Sequence, residues 1–140
     1  MRPTLFLVLT LAATACTEAE PEAGAQPFVI PEGLVAGSNE MLKAPVEAAP
    51  NLEVVVSDVI IPPNSTVPAH YHPGEEFAYV VEGSAVHVEQ GKPDRRVKAG
   101  EAFVIPPNAV HAPRGGPEGA RAIVFRVHIK DQPERIPAEL

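Results

Sequence analysis

Proline restricts what this chain can fold into more than any other residue. There are 17 prolines among 140 residues, and they fall almost entirely between runs rich in Val, Ile and Phe. Inside a helix, proline removes a hydrogen bond and clashes with the preceding turn; between strands it deprives no central ladder of a donor. No stretch offers an apolar period of 3.6 residues long enough for a helix of several turns. Residues 52–61 are β-branched and end at Pro62-Pro63-Asn64-Ser65, a strand followed by a turn. Further strands are predicted over 77–82 and 85–90, joined by Gly83-Ser84 as a two-residue hairpin turn. Others are predicted over 96–98, 102–105, 110–112 and 121–130, the last alternating apolar and polar residues. Pro27, Pro31, Pro45 and Pro50 leave room only for short extended pieces upstream. Short strands at such close spacing predict an all-β sandwich or barrel. With Trp absent and aromatics scarce, its core should be built from β-branched aliphatics.

The N-terminus follows a different plan. Residues 1–15, MRPTLFLVLTLAATA, carry one positive charge at Arg2, an apolar stretch too short to span a bilayer, and then small residues. That is the layout of a secretory signal peptide. Ala13-Thr14-Ala15 fits ordinary signal-peptidase cleavage. Followed by Cys16, the same residues resemble a bacterial lipobox, although Leu usually stands where Ala13 does. Cys16 is the only cysteine and cannot pair within one chain. Residues 17–27 are acidic and low in complexity, suited to a tether. The expectation is an exported protein of the bacterial periplasm or cell envelope, lipid-anchored through Cys16, with a soluble secreted form as the alternative. The chain divides into a signal peptide (1–15), an acidic Pro/Ala-rich tether (16–40), a barrel domain (41–131) and a C-terminal tail (132–140).

The net charge is −7, and loss of residues 1–15 leaves it near −8. Such a chain is repelled by phosphate backbones, and no basic stripe with interleaved aromatics offsets this, so nucleic acid is excluded as a partner. Arg95, Arg96 and Lys98 form the one basic knot, read as an exposed hairpin end. No glycine-rich phosphate loop is present.

Five histidines occur, and three fall into a pattern. His70-Tyr71-His72 places two imidazoles on alternate residues, so in extended chain both point to one face. Glu76 follows across Pro73-Gly74-Glu75, and His111 comes from a separate β segment. Three neutral imidazoles and a carboxylate suit a divalent transition ion such as Mn, Fe, Co, Ni, Cu or Zn. His87 and His128 read as ordinary strand residues, with His128 a lesser candidate for a cavity wall. Phe77, Tyr79, Phe103 and Phe125 read as packing residues. Arg121 or Arg126 could hold a substrate carboxylate, though both read more simply as solvent-facing.

The run from His70 to Gly83, with its paired histidines, Glu76 and a glycine seven residues later, resembles the first motif of the cupin superfamily. Gly100, Pro106 and His111 are spaced as in the second motif. The resemblance implies a small jelly-roll barrel with His70, His72, Glu76 and His111 as metal ligands. Three positions depart from the pattern: Asn64 and Asn108 stand where glycine is usual, and Gly115 where asparagine sometimes closes the second motif. Asparagine tolerates the left-handed turn, and no ligand position is lost. The resemblance implies a metal-dependent oxidoreductase like the small cupin dioxygenases, or a barrel that captures a small molecule or metal without turnover. A purely structural metal site is a third reading. Barrels of this kind commonly dimerise, so a homodimer is expected beside a small-molecule partner.

Overall fold

The computed structural model describes residues 28–140. The predicted signal peptide, Cys16 and the first part of the predicted tether, through residue 27, lie outside them. Among the described residues there is no helix, and eight strands follow one another: β1 (Gly37–Pro45), β2 (Leu52–Ile61), β3 (His70–Tyr71), β4 (Glu76–His87), β5 (Arg95–Lys98), β6 (Ala102–Ile105), β7 (Arg114–Ile129) and β8 (Ile136–Pro137). Strand β1 begins inside the range read as tether, and β8 lies in the range read as tail.

The main sheet runs β1-β2-β7-β4-β5, with β6 also paired to β4, and every pairing is antiparallel. Strand β4 is shared: β7 lies along one edge, while β6 and then β5 lie along the other. A separate pair, β3-β8, completes the all-β jelly roll. Parity along the strands builds the interior. Ala78 and Val80 of β4, Ile61 of β2, Val97 of β5 and Ala120 and Val124 of β7 are buried, the small side chains leaving space between the sheet walls.

Gly83-Ser84 does not turn the chain. Strand β4 continues through it, with register shifts against β7 on either side of Gly83, so the predicted hairpin is instead a bulge. Gly83 has φ 69°, and a Cβ there would collide with the Gly119 carbonyl oxygen. Only glycine meets both demands, and the bulge bends one long strand around the barrel. The two asparagines that replace motif glycines take the left-handed conformation, Asn64 at φ 56° and Asn108 at φ 61°. Predicted packing by the aromatics holds only in part. Phe77, Tyr79 and Phe125 are each nearly half exposed on the outer face, because Glu76, Ala78 and Val124 take the inward positions between them.

Candidate metal centre

Short segments pinned by proline and by backbone bridges bring the histidines together. His70 opens β3 two residues after Pro68, and its N–H donates to the His111 carbonyl while the His111 N–H donates back, at 3.0 and 2.8 Å. That bridge joins the two sequence motifs directly. The His72 carbonyl accepts from the Asn108 N–H at 2.8 Å, which ties the left-handed turn before His111 to the first motif. Gly74 lets the chain swing from His72 into β4, since a Cβ there would run into the Val127 carbonyl oxygen. Glu76 then enters as the first residue of β4.

The three rings are buried, and one ring nitrogen from each lies within 4.8 Å of the other two. Ring centroids stand 4.3 Å apart for His70 and His111, 5.0 Å for His70 and His72, and 5.6 Å for His72 and His111. Each Nδ1 meets a backbone carbonyl: Pro68 at 2.8 Å for His70, Ala109 at 2.9 Å for His111, and Glu134 for His72. A carbonyl only accepts, so each Nδ1 carries the proton and each Nε2 is left with its lone pair. The His72 Nε2 is buried and has no hydrogen-bond partner. A buried lone pair without a donor is costly; a cation shared with His70 and His111 would satisfy it. The donor set therefore fits a divalent transition ion.

Glu76 stands beside this cluster rather than within it. Its Oε2 lies 3.2 Å from His72 Nε2 without hydrogen-bond geometry, and accepts from Arg126 Nε at 2.7 Å. Arg126 is buried, contrary to the solvent-facing reading, and also donates from Nη1 to Ser57 Oγ at 3.2 Å and Glu134 Oε1 at 3.0 Å. The alternation of β7 alone points the other way, since Ile123, Phe125, Val127 and Ile129 share the apolar parity; pairing with β2 and β4 turns Arg126 inward with Val124. Arg121, on the other face, is spent on Asp58, with its Nη2 2.7 Å from Asp58 Oδ2.

Electrostatics keep the cluster ready for a cation. Burial lowers the pKa of His70 to about 4 and pushes His72 and His111 down as well. Burial alone would raise Glu76, but the adjacent Arg126 guanidinium prevails and holds it below the ordinary carboxylate value. Neutral imidazoles beside an ionised carboxylate are the protonation states that metal ligation requires.

The cluster opens into a cavity of about 120 Å³, which Arg126, Glu134 and Arg135 also line. An apolar chamber of about 60 Å³ adjoins it, sharing Val59, Glu76, Pro113 and Val124 as walls. His87, read as an ordinary strand residue, is buried in that chamber with Nε2 3.2 Å from Glu89 and its centroid 5.9 Å from that of His111. His128 is buried with Nε2 3.5 Å from Glu53 Oε1. Glu134 and Arg135 escaped sequence reasoning altogether: nothing in a short polar segment near the C-terminus signals that it crosses the histidines.

Residues 57–126, half of the chain, match the family description "Cupin domain". This protein is a cupin. No curated protein matches its sequence. Among solved structures, a double-stranded β-helix protein from Klebsiella pneumoniae is 18% identical with a TM-score of 0.56, covering 80% of this chain and 92% of that one. The DMSP lyase DddQ from Ruegeria pomeroyi is 24% identical with a TM-score of 0.55, covering 83% of this cupin and 62% of the lyase. An oxalate decarboxylase from B. subtilis is 20% identical with a TM-score of 0.56, covering 75% of the cupin and 29% of the enzyme. At these identities the likeness is one of fold, and the chain spans less than two thirds of either enzyme.

Proposed function

We propose that this cupin is an exported, metal-dependent enzyme acting on a small molecule. One divalent transition ion (Mn, Fe, Co, Ni, Cu or Zn) is held by His70, His72 and His111, with Glu76 as fourth ligand. The observation that carries this reading is the shared tautomer: three Nδ1 protons committed to carbonyls, leaving three Nε2 lone pairs beside one cavity. A bound ion would supply a Lewis acid with positions left for water, dioxygen or a chelating substrate. The chain's own part is to keep the imidazoles neutral, to hold Glu76 ionised through Arg126, and to shelter the site within the barrel. Two structural neighbours are named as a lyase and a decarboxylase, which supports enzymatic use of the fold. Oxygen-dependent chemistry of dioxygenase type is our reading of the reaction, and it rests on resemblance alone. Residues 1–15 direct export, and Cys16 carries the lipid.

The test begins with elemental analysis of protein purified without added metal, where a transition ion close to one per chain is expected. Oxygen uptake and product formation across a panel of small carboxylates and catechols follow. Turnover without oxygen uptake would replace the dioxygenase reading with lyase or decarboxylase chemistry. A second reading, a non-catalytic binding module, draws on one observation. Around the cavity, Glu76, Arg126 and Glu134 are tied to one another, and Arg135 donates to a backbone carbonyl. A cobalt form whose spectrum responds to added chelating anions, with no product from any of them, would favour the module.

A further inference from the structure

The segment after β7 turns back against the histidines, close to where β7 itself ends beside Glu75 and Glu76. Asp131, at φ 63°, and the Gln132 N–H bonded to the Ile129 carbonyl turn the chain out of β7. Strand β8 then pairs with β3, His70 opposite Pro137 and Tyr71 opposite Ile136, and the Ala138 N–H donates to the Ala69 carbonyl at 3.1 Å. Two residues of this segment meet the histidine cluster from behind. The Glu134 carbonyl accepts the His72 Nδ1 proton, and its carboxylate takes Arg126 Nη1 at 3.0 Å. Arg135 Nη2 donates at 2.9 Å to the Pro68 carbonyl, the same oxygen that receives His70 Nδ1.

We propose that Glu134 and Arg135 are positioning residues for the metal, fixing the tautomer and aim of His72 and His70 from the C-terminal segment. The inference rests on reading the histidine cluster as a metal site. The physical basis differs between the histidines. His70 and His111 each bond a carbonyl two residues back, an arrangement available within their own segments. His72 has no such local acceptor in use; its tautomer is set by an oxygen 62 residues away in sequence. Without that acceptor, Nδ1 has no reason to hold the proton, and the ring is free to turn its protonated nitrogen into the cavity. The Arg135 guanidinium keeps the Pro68 carbonyl in place while that oxygen holds His70. Partners behind metal-bound imidazoles typically matter by 10–100-fold in affinity.

The test compares the full chain with a form ending at Gln132, both stripped of metal and titrated with zinc against a competing chelator. Zinc affinity is expected to fall about 10–100-fold on truncation, while far-UV circular dichroism and a cooperative thermal transition remain. Long-range proton–nitrogen NMR of the metal-free proteins gives a second readout. His72 should be the Nδ1–H tautomer in the full chain and lose that preference in the truncated one, whereas His111 should not change. Should the truncated chain fail to fold, full-length E134A/R135A removes both side chains but keeps β8 and the carbonyl of residue 134. About tenfold weaker zinc binding is expected there through loss of the Arg135 hold on Pro68, with the His72 tautomer unchanged. Undiminished zinc affinity in that variant would remove Arg135 from the proposal. Unchanged zinc affinity in a folded truncated form, with the His72 tautomer unaltered, would overturn the proposal. Absence of zinc binding by the full chain would instead overturn the metal reading, and the tautomer comparison would still decide the role of Glu134.

Discussion

His111 is buried at 1% exposure and supplies one of three lone pairs at the cluster. His111→Ala should therefore abolish most metal occupancy. His87 is also buried but lines the apolar chamber, so His87→Ala should leave metal content nearly unchanged while lowering stability through lost packing. Equal metal content in the two variants, measured by elemental analysis, would overturn the ligand assignment. Glu76 and Arg126 form the other decisive pair. Glu76→Gln leaves a buried guanidinium with only the half-exposed Glu134 as counter-charge. Breaking a buried pair from one side costs about 3–5 kcal/mol, and less where a second partner remains. Denaturant unfolding of the metal-free variant should show a loss of at least about 1 kcal/mol, largely relieved when Arg126→Met is added. A fully additive double variant would mean that the two side chains do not interact.

At the scale of elements, β4 carries the site at one end and a bend in its middle. Gly83→Ala places a Cβ against the Gly119 carbonyl oxygen at a φ that side chains rarely adopt. The expected cost exceeds about 1 kcal/mol, seen as a lowered thermal midpoint, with metal affinity nearly preserved because the bulge is remote from Glu76 in the strand. An unchanged midpoint would show that β7 gives way at that point. The strand pattern explains what could be read beforehand. Leu52–Ile61 was legible because Pro50 and Pro62 bound it, and Ala102–Ile105 because it lies between Gly100 and Pro106. The passage of β4 through Gly83-Ser84 was not, because a glycine-serine pair satisfies a hairpin turn and a bulge equally well. Only the presence of β6, β5 and β7 around β4 decides between them.

At the scale of the whole molecule, the titration of the site becomes a stability property. The pKa of His70 in the folded protein, about 4, lies below its unfolded value of 6.5, so the unfolded chain takes up that proton first as pH falls. Stability is therefore full above about pH 6.5 and declines toward about pH 4, where this contribution levels off. His72 and His111 act in the same direction. Glu76, with its pKa lowered from 4.5, contributes stability that is lost as pH falls through its folded value. Thermal midpoints of the metal-free protein should drop across that window, and less steeply in His70→Phe; a flat profile would contradict the burial argument. On the outer face, Phe77 pairs across strands with Val104 and Phe125, and Tyr79 lies beside them on β4. These four are 46–51% exposed and form an uncharged patch on an acidic molecule. A second copy is the partner we expect there, sheet face to sheet face. Tyr79→Lys with Phe125→Lys should shift the sedimenting species from dimer to monomer; a wild-type protein that sediments as a monomer would remove this expectation.

Sequence by itself determined the all-β class, the runs that form β2, β5, β6 and much of β4 and β7, and the three histidines that cluster, because alternation, proline punctuation and motif spacing are local properties of the chain. It also indicated where asparagine would stand in the left-handed region, at Asn64 and Asn108. The partners behind the ligands were decided by tertiary structure. Arg126 could be placed inside only once the parity of β7 was anchored against β2 and β4. Glu134 and Arg135 reach the histidines because β8 folds back onto β3, a two-residue pairing too short to leave a hydrophobic pattern. A ligand side chain is chosen by its chemistry and is visible as a residue type. The carbonyl that orients it can belong to any residue, and only the folded backbone brings that oxygen within reach.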